Sequence, residues 1–145
     1  MATLTDNWFA AGAAILDQLE TECGTNFRRI AFAPSLDVLG RILTGITPAV
    51  YVVPGPLAGG VPPRQTWYVV IQARNVEQIA EGEGLLEEAG ALVSAVLAAL
   101  AHFVPGTEFS ALFMPTEDHR TPDVGQGLYI LTYAVQIEPD FWPYY

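Results

Sequence analysis

The sequence predicts an α+β fold: one mixed or mainly antiparallel sheet with a long helix and shorter helices packed on one face. Three observations carry this. The apolar run from Gly84 to Val104 has helical spacing and almost no charge. Two segments, Gln65–Asn75 and Gly127–Glu138, alternate in the way half-buried strands do. The order of segments is helix, strand, short helix, strand, strand, long helix, strand, strand, with no internal repeat, as in one antiparallel-rich sheet with segregated helices. Residues 1–145 are read as a single domain, with residues 139–145 an aromatic tail.

Thr5 or Asp6 is placed to cap a first helix running to about Glu22. Trp8, Ala11, Ile15 and Leu19 form its apolar stripe, and Gly24 follows its last turn. Arg28–Phe32 is a short strand candidate. Ser35 then caps a shorter helical segment, with Leu36, Leu39 and Leu43 on one face, which Thr47-Pro48 ends. Ala49–Val53 is a strand by composition. Residues 54–64, PGPLAGGVPPR, read as a long loop without charge until Arg64.

In Gln65–Asn75, Trp67, Val69, Ile71 and Ala73 point one way, and Tyr68, Val70, Gln72 and Arg74 the other. This strand and Ala49–Val53 form an expected antiparallel hairpin. Five glutamates, at 77, 81, 83, 87 and 88, crowd the start of the long helix, where anions suit its dipole. Gly82 and Gly84 leave two starts open, one near Glu77 and one after a break. The expected buried face is Leu86, Val93, Leu97, Leu100 and Val104, with Ala89 and Val96. Phe109–Met114 is a short strand candidate. Tyr129, Leu131, Tyr133, Val135 and Ile137 share one face of a last strand, the expected antiparallel neighbour of Gln65–Asn75.

Composition narrows the function. Only 15% of residues are charged and the net charge is −10, so the surface repels nucleic-acid phosphates, and no specific nucleic-acid binding is expected. The acids are uneven, five in residues 1–72 and eleven in residues 73–145. All six basic residues are arginine, which removes P-loop and Schiff-base lysine chemistry. Cys23 has no partner cysteine, and no basic n-region precedes an apolar stretch at the N-terminus, so cytosolic synthesis is expected. The long apolar run is too short and too interrupted for a membrane span.

Catalytic signatures are missing. Ser35, Ser94 and Ser110 sit in no nucleophile elbow, and no GxGxxG accompanies Gly55, Gly59 and Gly60. His102 stands at the end of a helix, without a second histidine at metal-ligand spacing. Glu117, Asp118 and His119, with Asp123, make a conceivable cation or hydrolytic loop, but such loops are commonly solvated turns. No catalytic, cofactor-binding or metal-binding residue is assigned. The tail residues Phe141, Trp142, Tyr144 and Tyr145 are costly to expose together, so they mark either an association surface or packing against Trp8 and Phe9.

The sequences PAVYVVPG at 48–55, WYVVIQARN at 67–75, LLEEAGALVSAVLAALAHFVPG and LYILTYAVQI together resemble phage tail-terminator, or tail-completion, proteins, particularly the Mu-like subgroup. The likeness spans most of residues 5–138 and rests on hydrophobic patterns. It implies a structural, non-enzymatic α+β subunit without cofactors. Such a subunit self-associates into a ring, usually a hexamer, which caps the tail tube and meets tail-tube and head-connector proteins. It implies the host cytoplasm during assembly and the virion tail afterwards. The competing expectation is a small-molecule-binding α+β domain, with a pocket between helix and sheet lined by Trp67, Tyr68 and Tyr133.

Overall fold

A computed structural model describes residues 7–35, 38–39, 46–58, 63–73, 83–115 and 128–138. The first helix, α1, is Ala10–Cys23, followed by strand β1, Arg29–Phe32. Strands β2 (Ala49–Ala58) and β3 (Arg64–Gln72) come next, then helix α2 (Glu83–Leu100) and strand β4 (Leu128–Gln136). The four strands form one mixed sheet in the order β1-β2-β3-β4. β1 runs parallel to β2, while β2/β3 and β3/β4 are antiparallel. The α+β expectation holds, including the β2–β3 hairpin and the pairing of β4 with β3.

The strand alternation divides the core as the sequence predicts. Val50, Val52, Trp67, Val69, Ile71, Tyr133 and Val135 face the two helices, and Tyr51, Val53, Tyr68 and Val70 face the other way. α1 buries Ala11, Ile15, Leu19 and Cys23, the expected stripe extended by one turn. The Ser35 hydroxyl accepts the Val38 amide at 3.1 Å, as a cap should, and Leu39 joins the cluster on the sheet face opposite α1 and α2. Thr5 and Asp6 lie outside the described residues. α1 begins at Ala10 without a side-chain cap, and the Asn7 side chain instead accepts the Phe9 amide at 3.0 Å.

α2 lies mainly along α1 and meets the sheet at β3. Gln18 donates to the Ala99 carbonyl at 2.9 Å and the Cys23 thiol to the Ala95 carbonyl at 3.4 Å. Partners that rise along α1 fall along α2, so the helices are antiparallel. Ala99 sits in the last turn of α2, where carbonyls lack intrahelical donors, and Gln18 supplies one.

Two sequence expectations change. The buried face of α2 is Ala89, Leu92, Val96, Ala99 and Leu100, whereas Leu97 is 39% exposed and Val104 49%. Leu, Val and Ala occupy nearly the whole circumference of this helix, so spacing alone does not choose between two adjacent apolar stripes. The second change concerns residues 54–64. β2 continues to Ala58, with Leu57 opposite Gln65 and Ala58 opposite Arg64 after a bulge beyond Pro54. The prolines are tolerated because β1 pairs with β2 only as far as Val52, so that among the described residues no strand pairs with Pro54 or Pro56 on that side. Of the expected loop, residues 59–62 lie outside the described residues.

Beyond α2 the chain returns along the outer edge of β4. Phe109 bridges Ile137 and Phe113 bridges Ala134, so the expected strand at 109–114 is present as two isolated bridges. The Ser110 hydroxyl accepts the Gln136 amide at 2.9 Å.

The α2 assignment predicts opposite outcomes at adjacent positions. Val96→Asp places a carboxylate at a fully buried site and should cost several kcal/mol, on the order of 3 or more. Leu97→Asp should stay within about 1 kcal/mol of the parent. Urea unfolding of the two variants checks both.

Candidate interaction surface

Gly12, in the first half of α1, has no side chain, and the Trp67 indole fills the space where one would stand. A Cβ at residue 12 would meet ring carbons Cη2, Cζ3 and Cζ2 at 3.0 Å or less. The indole N–H donates to Gln65 Oε1 at 3.4 Å, and Gln65 Nε2 donates to the Trp8 carbonyl at 3.0 Å. Gln65 is thus a buried amide with both ends occupied, tying β3 to the start of α1. Phe9 meets the Trp67 ring edge-on, with centroids 6.1 Å apart and planes at 81°.

This seating turns Phe9 outward. It is 52% exposed, and Phe32, at the end of β1, is 45% exposed. Together with Ala33, Pro34, Pro54 and Trp67 they line an apolar groove of about 380 Å³. None of these lining residues carries a charge, so the groove suits apolar or aromatic groups rather than anions or metals. A second apolar patch lies at the opposite edge of the sheet. Phe113 is 40% exposed and Met114 44%, beside β4, and the Arg64 guanidinium sits 6.0 Å from the Phe113 ring centre.

The expected ligand pocket of Trp67, Tyr68 and Tyr133 is not formed. Trp67 and Tyr133 belong to the helix-side core and Tyr68 to the opposite face, because adjacent strand residues point apart. Only Trp67 reaches the groove.

The candidate chemical groups are used structurally. Ser35 caps and Ser110 anchors β4, while Ser94 is exposed on α2. Burial first, and the neighbouring Glu22 carboxylate second, push the Cys23 thiol above its ordinary value. That keeps it protonated and poorly nucleophilic. His102 is exposed, with φ of 59°, so it ends α2 in the left-handed conformation usually given to glycine. Among the described residues, no three His, Cys, Asp or Glu side chains gather as a metal site. No helix among them is long and apolar enough to cross a membrane. Glu117, Asp118, His119 and Asp123 lie outside the described residues.

The groove residues were only partly foreseeable. The aromatic pair Trp8-Phe9 and the prolines were visible in the sequence, but the contact of Gly12 with Trp67 joins residues far apart in the chain. The family model described as "Phage tail terminator protein" matches residues 5–140. No curated protein matches the chain.

Burial of Tyr133 against the helices pushes its phenol up to about 12. An unfolded tyrosine ionises near pH 10. Between these values the folded state binds more protons than the unfolded state, so stability must fall as pH rises through this window. The slope approaches about 1.4 kcal/mol per pH unit. Tyr133→Phe should show a shallower alkaline loss than the parent in denaturant melts between pH 9 and 12.

Proposed function

The chain belongs to the phage tail terminator family, and we propose that it closes the finished tail tube as a ring of identical subunits and prepares that end for the head connector. Members of this family are structural components of the phage tail rather than enzymes. The finer reading is that six subunits form the ring, that the protein is of the Mu-like subgroup, and that it acts in the host cytoplasm before becoming part of the virion.

The observation that carries the ring is the placement of two unlike apolar patches on opposite edges of one sheet. A closed ring needs a heterologous contact in which one patch of a subunit meets a different patch of the next. The β1 edge, ending in Phe32, and the β4 edge, bearing Phe113 and Met114, meet that requirement. Each patch exposes only a few large side chains, well under the ~800 Å² per partner of a standard interface. Such a contact is weak in solution and is strengthened when subunits are arrayed on a tube end. The net charge of −10 suits a channel through which DNA slides, because like charge opposes binding. The Arg64 guanidinium lies over the Phe113 ring and adds a cationic group to the β4-edge patch.

Complementation of a phage lacking the gene tests this. The double variant Phe113→Asp, Met114→Asp should be folded, since both residues are exposed, and should fail to give head-joined tails of regular length. Normal completion by that variant would remove the β4 edge from the ring. Regular, head-joined tails in the absence of the gene would overturn the terminator role itself.

A further inference from the structure

The groove beside Phe9 and Phe32 is a concave apolar site at one edge of the sheet, and Phe113 and Met114 form a convex apolar site at the other. Phe9, Phe32 and Trp67 give the groove three aromatic rings. Methionine is unbranched and polarisable, so it fills irregular apolar gaps, and its sulfur is attracted to aromatic rings. We propose that Met114 of one subunit seats in the Phe9–Phe32 groove of a second copy of this chain, with Phe113 at the groove's rim. The proposal rests on the ring reading and names the side chains through which one subunit holds the next.

Strand register places the two sites at one height. Pro54 lies in line with Trp67, and Trp67 with Tyr133, so this row crosses the sheet from the groove to β4. Phe113 bridges Ala134 in the antiparallel sense, which brings the next residue, Met114, level with Tyr133 at the far end of the same row. The faces agree as well. Trp67, which lines the groove, and Leu112 both belong to the helix-side core. Phe113 is paired with Ala134, which lies between the helix-facing Tyr133 and Val135, so alternation returns Met114 to the helix side. A contact between unlike sites of equal height turns each subunit about the mean strand direction without a rise. That is the condition for a closed ring rather than a helical filament.

Shape, charge and area all favour the unlike pairing. Two grooves brought together stay empty, and two convex patches leave both grooves unfilled. The Arg64 guanidinium over the Phe113 ring makes the convex site cationic. Aromatic rings attract a cation, and no lining residue of the groove carries a charge to oppose it. One or two side chains in a groove fall well short of the ~800 Å² per partner that a stable dimer buries. A single contact therefore does not hold a pair in solution, whereas a subunit within a ring makes two, one at each edge, and closure reinforces both.

Disulfide trapping between two singly substituted full-length chains tests the seating. Met114→Cys is mixed, under oxidising conditions, with Phe32→Cys or Pro34→Cys. All three positions are exposed, so folding should be unaffected, and native Cys23 is buried. A disulfide needs Cα atoms within about 7 Å, so for at least one pair the heterodimer should exceed the homodimers of either chain by about tenfold. Thr21→Cys, exposed in the last turns of α1, should give no such excess with Met114→Cys. A second mixture keeps the seated side chain. Phe113→Cys with Pro34→Cys should cross-link equally with Met114 or Met114→Leu, and Met114→Asp should lower that yield about tenfold. Homodimers of Met114→Cys as the main product, yields no higher than the Thr21→Cys control in both mixtures, or a yield indifferent to Met114→Asp overturns the proposal. Such a result leaves the terminator role standing, because loss of the gene tests that role separately.

Discussion

The Trp67 indole lies against a helix that has no side chain at residue 12, and the position of α1 follows from this contact. Glycine in a helix interior costs roughly 0.5–1 kcal/mol relative to alanine. Here it lets the helix backbone approach the largest aromatic side chain of the sheet. A buried aromatic of this size removes about 150–250 Å² from water, which offsets the glycine cost. The indole N–H, the Gln65 amide and the Trp8 carbonyl form a short hydrogen-bond chain that fixes the end of the helix as the ring fixes its middle. With α1 held in this way, Gln18 and Cys23 meet α2 carbonyls one turn apart, and α2 is placed in turn.

The exposed surface follows from the same contact. The residue before Ala10 has to leave the core because Trp67 already fills the space beneath the helix, so Phe9 faces the groove edge-on to the indole. Prolines 54 and 56 keep the neighbouring edge of β2 from pairing with another strand, since each lacks a donor. That end of the sheet is thereby suited to side-chain packing rather than strand addition. At the other edge, residues 109–113 bond to β4 and cover most of it, yet leave Phe113 and Met114 outward.

Much of the fold was legible in the sequence because its signal is local. The period-two patterns of β3 and β4 assign every core residue of those strands to the correct face, since a pleated strand allows only two directions. The stripe of α1 was legible for a similar reason: Asp17 and Glu20 mark the wet side. α2 lacks such marks after Glu88, so spacing alone does not separate the exposed stripe holding Leu97 from the buried one holding Leu92 and Ala99. The extension of β2 through Pro54, Gly55 and Pro56 was hidden because proline and glycine normally end strands, and only the short length of β1 makes an exception here. The groove was least legible, because it needs Phe9, Phe32, Pro54 and Trp67 from four separate segments. The family resemblance, by contrast, rested on the strands and the long helix, and the family model covers the same stretch.

The position of α1, and with it the shape of the subunit, depends on one indole against one glycine. A double-mutant cycle between the two positions measures that dependence directly. Gly12→Ala should destabilise the parent by about 1–3 kcal/mol through overpacking, despite alanine's better helix propensity. In a Trp67→Phe background, whose smaller ring vacates the colliding carbons, the same change should cost nothing or stabilise slightly. A coupling energy above about 1 kcal/mol is the predicted result. Additive effects, or a stabilising Gly12→Ala in the parent, would contradict the claim that this contact positions α1.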